Sequence, residues 1–341
     1  MKLPQAALLI GLSLLLLFAA ATASAFTGPV RLPFLDVARE LIGISTLDTR
    51  DHAILWSIRL PRVAMAIVVG ATLAVAGAAY QAVFRNPLAD PYLLGVSSGA
   101  GLGVTVAVVA GASIGFGGGA LGIVGAAFVG GVIAVSATYM VSRGVGHGSS
   151  ATVVVLAGVA VAAFANAAQT YVQQRNIETV QRVYSWMLGN LGIASWGSIL
   201  MVLIPAGFCW LVIVLSSRLL DVMTVGDLEA RTLGVDPGLV RLALVAVATM
   251  GTAAVVSVSG LIGFVGIIVP HALRLIVGPG HRLLLPLTLI WGAIFLLAAD
   301  TAARTLLAPA ELPVGVVTAA VGAPFFLFIL RRFSRAGKVA A

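Results

Sequence analysis

The residues able to do chemistry are few and far apart. The four histidines, His52, His147, His271 and His281, are separated by long apolar stretches and make no metal-ligand spacing. Pro270-His271 with Arg274 is the one setting that looks like a reaction centre. No serine or carboxylate stands at triad spacing from it and no HExxH motif occurs, so His271 reads as structural. Cys209 is the single cysteine; it lies in an apolar segment and reads as a small buried side chain. There is no GxxxxGK[ST] phosphate loop, so ATP hydrolysis, if it occurs, belongs to another chain. One charged pair stands out: Asp300 and Arg304, four apart in apolar surroundings, share a helix face and can pair. These residues call for no metal, no cofactor and no enzyme.

The elements that carry them belong in a bilayer. The chain has 341 residues, 60% hydrophobic and 9% charged, far below the roughly 25% charge of a soluble domain. The 39 glycines suit closely packed membrane helices. No alternating barrel pattern is present, so the spans are helices. They are expected at 4–26, 63–84, 92–110, 119–141, 151–172, 196–216, 240–260, 264–277, 283–303 and 313–330. This predicts one all-α polytopic domain of ten transmembrane helices over 1–341. A short, re-entrant-like eighth helix, a cytoplasmic loop over 217–239 and a basic tail over 331–341 complete it.

Pro91 to Ser142 and Leu242 to Leu273 carry no charge and are too long for single crossings. Gly111 to Gly119 should turn the first, and Gly260 with Gly263 should break the second. Short surface helices are expected within 27–58 and 173–195. Gly70 with Ala74 and Gly99 with Gly103 are small-residue pairs suited to helix packing. Arg59-Leu60 with Gly77 and Pro87 is echoed by Arg241-Leu242 with Gly260 and Pro270, a faint sign of an inverted repeat. The stretch ending in Ala21, Ala23 and Ala25 has the look of a signal-peptide cleavage site, but a retained first helix completes an even count.

The net charge of +8 raises nucleic-acid binding, yet no basic cluster with interleaved aromatics exists, so no nucleic-acid partner is expected. With both termini in the cytoplasm of an inner-membrane protein, 12 of the 20 Lys and Arg fall inside and 8 outside. Arg59, Arg62 and Arg304 oppose that bias at the outer ends of spans two and nine.

Three stretches then resemble the iron-chelate, haem and cobalamin permease family of bacterial ATP-binding-cassette importers. They are RLPRVAMAIVVGATLAVAGAAYQAVFRNPLADPYLLGVSSGAG (Arg59–Gly101), SGLIGFVGIIVPHALRLIVGPGHRLLLP (Ser259–Pro286) and AELPVGVVTAAVGAPFFLFIL (Ala310–Leu330), and the likeness extends from Trp56 to Arg332. The resemblance implies the type II importer architecture of ten helices, a homodimer, two cytoplasmic ATPase subunits, and a periplasmic or lipid-anchored binding protein. The cargo would be an iron-siderophore, haem or cobalamin; the shared motifs do not separate them.

By the same resemblance, Val225, Gly226, Leu228, Ala230, Arg231, Leu233 and Gly234 form the segment that couples to the ATPase, the plain alternative being an amphipathic loop helix. Arg59, Arg62 and Arg304 match arginines that pair with glutamates of the binding protein, for which their rigid forks are suited; headgroup anchoring is the alternative. Arg85, Asn86, Pro87, Asp90 and Pro91 match a turn close to the cytoplasmic gate, or are simply a rigid turn. Asn166, Gln169 and Thr170 are the polar cluster of span five and the candidates to line the pathway. Two other functions compete: an ion-gradient-driven transporter, for which Asp300 is the sole acidic candidate inside a span, and a non-transporting scaffold subunit.

Overall fold

The computed structural model describes residues 3–28, 30, 32–44, 47–111, 120–144 and 151–339. Arg31, His147 and the connection 112–119 expected to turn the chain lie outside them. All regular elements among the described residues are helices, as apolar segments require where water cannot satisfy backbone groups. The helices are α1 (Leu3–Phe26), α2 (Phe34–Leu41), α3 (Thr49–Ala53), α4 (Leu60–Val83), α5 (Val96–Val109), α6 (Ala120–Gly144), α7 (Ala151–Arg175) and α8 (Ile177–Met187). There follow α9 (Trp196–Leu215), α10 (Ser217–Val225), α11 (Asp227–Thr232), α12 (Pro237–Ser259), α13 (Val265–Val277), α14 (His281–Thr305) and α15 (Val314–Val339). A π-helical stretch, Ile54–Arg59, joins α3 to α4, making one 35-residue run from Thr49 to Val83.

Each expected span coincides with a helix, and α2, α3 and α8 fall where surface helices were expected. The expectation of ten full crossings is corrected on one point. Among the described residues, seven helices are long and apolar enough to cross: α1, the Thr49–Val83 run, α6, α7, α9, α12 and α14. The 14 residues of α5 and 13 of α13 rise only about 20 Å, short of the ~30 Å of hydrocarbon. The apolar part of α15, Val314–Phe328, is also short. The apolar runs are longer than these helices because the backbone breaks inside them. A 3-10 turn at Pro91–Leu94 and left-handed Gly95 delay the start of α5. Gly260, at φ +70°, ends α12 before α13 begins.

The α12–α13 break is covered by protein. The Tyr92 hydroxyl donates to the Ile262 carbonyl at 3.1 Å, and Asn190 N–H donates to the Ser259 carbonyl at 2.8 Å. These contacts satisfy backbone groups that the broken helix frees.

The centre of the bundle is α4, packed by α9, α12, α13 and α14. Small residues let the backbones meet: a Cβ on Gly77 would lie 2.1 Å from the Gly266 carbonyl oxygen, and one on Gly70 would lie 2.3 Å from that of Gly292. The helix α1 lies at the edge against α14, where Trp291 donates to the Ser13 hydroxyl at 3.1 Å.

Candidate functional site

Functional candidates gather at the two ends of α4. At its C-terminal end Asn86 N–H donates to the Gln81 carbonyl at 3.1 Å and Arg85 N–H to that of Ala82 at 3.2 Å. This is a Schellman stop, whose left-handed position glycine usually fills. Here Arg85 fills it, at φ +49°. The turn continues with Asn86 Oδ1 accepting from Leu88 N–H at 2.9 Å and Asp90 Oδ1 accepting from Tyr92 N–H at 2.8 Å. Pro87 and Pro91 keep it from being helical. Asp90 is buried without a cationic partner among the described residues, and burial pushes its carboxyl up to about 6.

The side chain of Arg85 reaches the segment expected to couple. Its guanidinium lies 3.3 Å from Asp227 Oδ1, and Arg241 of α12 holds the same carboxylate at 3.0 and 3.1 Å. Asp227 therefore joins the α4 turn, α11 and α12. Since the end of α4 and the start of α12 share one carboxylate, those helices run in opposite directions, as the sequence echo suggested. A second link lies alongside: Asp221 of α10 accepts from the His281 backbone N–H at 2.9 Å and meets its Nδ1 at 2.7 Å, capping the first turn of α14.

The loop over 217–239 carries two short helices, α10 and α11. Gly226 separates them at φ +154°, where a Cβ would strike the Glu229 carboxylate. Gly234, at φ +79°, ends α11 as a second Schellman stop, with Val235 N–H donating to the Ala230 carbonyl and Gly234 N–H to that of Arg231, both at 3.0 Å. Ala230 faces inward, while Val225, Leu228 and Leu233 are exposed together with Arg231. Apolar side chains on a stiff, bounded helix form a surface that another protein can grip.

At the opposite end, the structure buries all three expected docking arginines. Arg62 grips Asp300 through Nε and Nη2, each at 2.9 Å from Oδ1, and Glu311 through Nη1 at 2.9 Å. Arg304 approaches the other oxygen of Asp300 at 3.1 Å, the pairing that their spacing suggested. Arg304 also donates to the Ser24 and Thr27 carbonyls at 3.1 and 2.9 Å. Arg59 donates to the carbonyls of Ala25 at 2.9 Å, Phe26 at 3.0 Å, and Val30. Two of the three arginines thus cap the carbonyl end of α1, where positive charge suits the helix dipole. Sequence reasoning missed this, since nothing in the spacing of Arg59 points to a helix that ends 33 residues earlier.

The polar cluster of α7 divides. Asn166 and Thr170 are exposed on one face, while Gln169 turns inward, its amide 3.2 Å from Met187 Sδ and packed on Gly101. His271 is buried and meets Phe325 edge-on at 6.1 Å. No group of three His, Cys, Asp or Glu able to hold a metal exists among the described residues.

The described residues thus form a bundle of membrane-length apolar helices that exposes a short, bounded helix at one end. Residues 14–332 match the FecCD transport family, and the chain belongs to it. It is 41% identical over 333 residues to the hemin transport system permease protein HmuU of Yersinia pestis, covering 96% of both chains. It is likewise 41% identical over 280 residues to the cobalamin import system permease protein BtuC of Halobacterium salinarum, covering 82% of this chain and 74% of that one. A solved structure described as an inward-facing ABC transporter of the metal-chelate type superposes with a TM-score of 0.83 at 28% identity, covering 95% of this chain and 99% of the other.

Proposed function

We propose that this chain is the membrane permease of an ABC importer that carries an iron-siderophore, haem or cobalamin. Two copies would enclose the pathway, with two ATPase subunits gripping α10 and α11 from the cytoplasm and a binding protein delivering cargo at the opposite end. In this reading α5, α13 and α15 complete a ten-helix subunit, both termini are cytoplasmic, and Asn166 and Thr170 face the pathway. The observation that carries it is the short α11, which exposes Leu228 and Leu233 and is held by Asp227 to both α4 and α12.

Docking at the far end would centre on Arg62. Its second partner, Glu311, is 39% exposed, so a carboxylate of the binding protein can take its place. Arg59 and Arg304 would then hold the docking surface in position. The ion-gradient alternative is disfavoured because Asp300 is already committed to two arginines.

The test is reconstitution in liposomes with the ATPase and binding proteins of the same system. ATP-dependent accumulation of one of the three cargo types is expected, with Leu233→Glu abolishing cargo-stimulated ATP hydrolysis in a folded protein. Accumulation driven by an ion gradient without the ATPase would overturn the reading.

A further inference from the structure

Between α6 and α12 runs a groove of about 470 Å³. Phe128, Val132, Val135 and Tyr139 of α6 line one wall, at the spacing of a single helix face, with Leu242 and Ala246 of α12 opposite. The walls are mostly apolar; their two other hydroxyls, Ser136 and Thr249, are already engaged by the Val132 carbonyl and the Tyr80 hydroxyl, and the one charged group stands at one end. There Tyr139 and Arg143 stand one turn apart, Arg143 in the last turn of α6 and exposed. From Phe128 to Arg143 the groove follows α6 for about 22 Å at 1.5 Å per residue, more than one leaflet's share of a ~30 Å hydrocarbon layer.

Tyr139 supplies a second, independent observation. It is 9% exposed and lines the groove, yet its hydroxyl has no hydrogen-bond partner among the described residues. A buried hydroxyl left unpaired forfeits its hydration without return, so such groups normally have a partner. Arg241 lies within electrostatic reach of this hydroxyl, but its guanidinium is directed to Asp227. The mouth of the groove therefore carries positive charge from Arg143 beside a hydroxyl that lacks an acceptor.

We propose that this groove binds one anionic phospholipid, its acyl chain lying between α6 and α12 and its phosphate held by Arg143 and Tyr139. Both walls belong to helices long enough to cross a bilayer, where acyl chains are the apolar molecules at hand. An apolar slot with a cation and a hydroxyl at one end matches an amphiphile with a single anionic head. A soluble protein segment would need polar partners along the walls, and a free anion would gain nothing from them. The bound lipid would tie α6 to α12 one turn from Arg241, and so brace the base of the coupling segment. The site does not depend on which cargo the importer carries.

The experiment is native mass spectrometry of the full-length protein, purified in mild detergent and exposed to equal amounts of phosphatidylglycerol and phosphatidylcholine. Wild type should retain phosphatidylglycerol preferentially. Arg143→Gln should weaken that retention about fivefold, the worth of one basic residue at an anionic surface. Tyr139→Phe should weaken it about two- to threefold with the apolar walls intact, and Ala246→Trp, which fills the slot, should abolish it. Arg218→Gln, an exposed arginine of α10, should leave it unchanged. All variants are first checked for a monodisperse elution profile, and Arg143→Gln, at an exposed helix end, is the variant least able to disturb folding. Equal retention of the two lipids, or undiminished phosphatidylglycerol in both Arg143→Gln and Ala246→Trp, would overturn the site. Displacement of the lipid by inorganic phosphate alone, or cross-linking of two copies through Met140→Cys, would overturn it in favour of a free anion or a second chain.

Discussion

Arg85 occupies a left-handed backbone position, φ +49°, and from it extends its guanidinium to within 3.3 Å of Asp227, the first residue of α11. A non-glycine residue there costs roughly 1–2 kcal/mol, while an exposed ion pair returns only about 0.2–1 kcal/mol. The contact is thus not accounted for by stability, which points to a role in carrying motion between α11 and the turn after α4. Arg85→Gly should leave thermal stability equal or higher and lower ATP-driven uptake severalfold. Uptake at the wild-type rate in well-expressed Arg85→Gly would remove Arg85 from the coupling path.

Asp300 neutralises two buried arginines at once. Asp300→Asn leaves Arg62 and Arg304 without their shared charge and should destabilise the far end by about 3–5 kcal/mol. Glu311→Gln removes a half-exposed partner of Arg62 and should cost less than about 1 kcal/mol. Melting of the two variants in one detergent gives the comparison; equal losses would contradict the central place assigned to Asp300.

Glu311 also tests docking. If a carboxylate of the binding protein takes its place on Arg62, Glu311→Gln should tighten binding-protein affinity, most clearly at low salt. Affinity for the nanodisc-held transporter across a salt series is the measurement. An unchanged or weaker affinity would count against Arg62 as the contact point.

Asp90 makes the turn sensitive to pH. Its carboxyl, raised to about 6 from 3.8, holds a proton in the folded protein at pH values where the unfolded chain has lost it. The contribution is therefore fully present below pH about 4 and is lost as pH rises through about 6, amounting to up to about 3 kcal/mol. Asp90→Asn keeps an oxygen for Tyr92 N–H and should flatten the difference in melting temperature between pH 5 and pH 7. Identical pH profiles for wild type and variant would show that Asp90 does not titrate there.

The Gly77–Gly266 contact should tolerate no added carbon. Gly77→Ala places a Cβ 2.1 Å from a carbonyl oxygen and should cost about 1–3 kcal/mol or more. Gly207→Ala, with nothing within 4 Å, should be neutral or stabilising by up to about 1 kcal/mol. Melting temperatures distinguish them.

Much of this protein is written in its order of residues. The uncharged runs fix that it is a helical membrane protein, because hydrocarbon admits few other backbones, and the helix positions follow from where charges and glycines interrupt those runs. The four-residue spacing of Asp300 and Arg304 announced their pairing. Local spacing carries such information because it acts within a turn or two of helix. Only the tertiary structure decided what Arg59, Arg62, Arg85 and Arg241 do. Their partners lie from 14 to 249 residues away or across a bend in the chain, and a guanidinium reads alike in sequence whether it faces water, caps α1 or grips a buried carboxylate. Gln169 turned from Asn166 and Thr170 for the same reason: which face of α7 is inside depends on how α5 and α8 pack against it, and no residue of α7 alone specifies that.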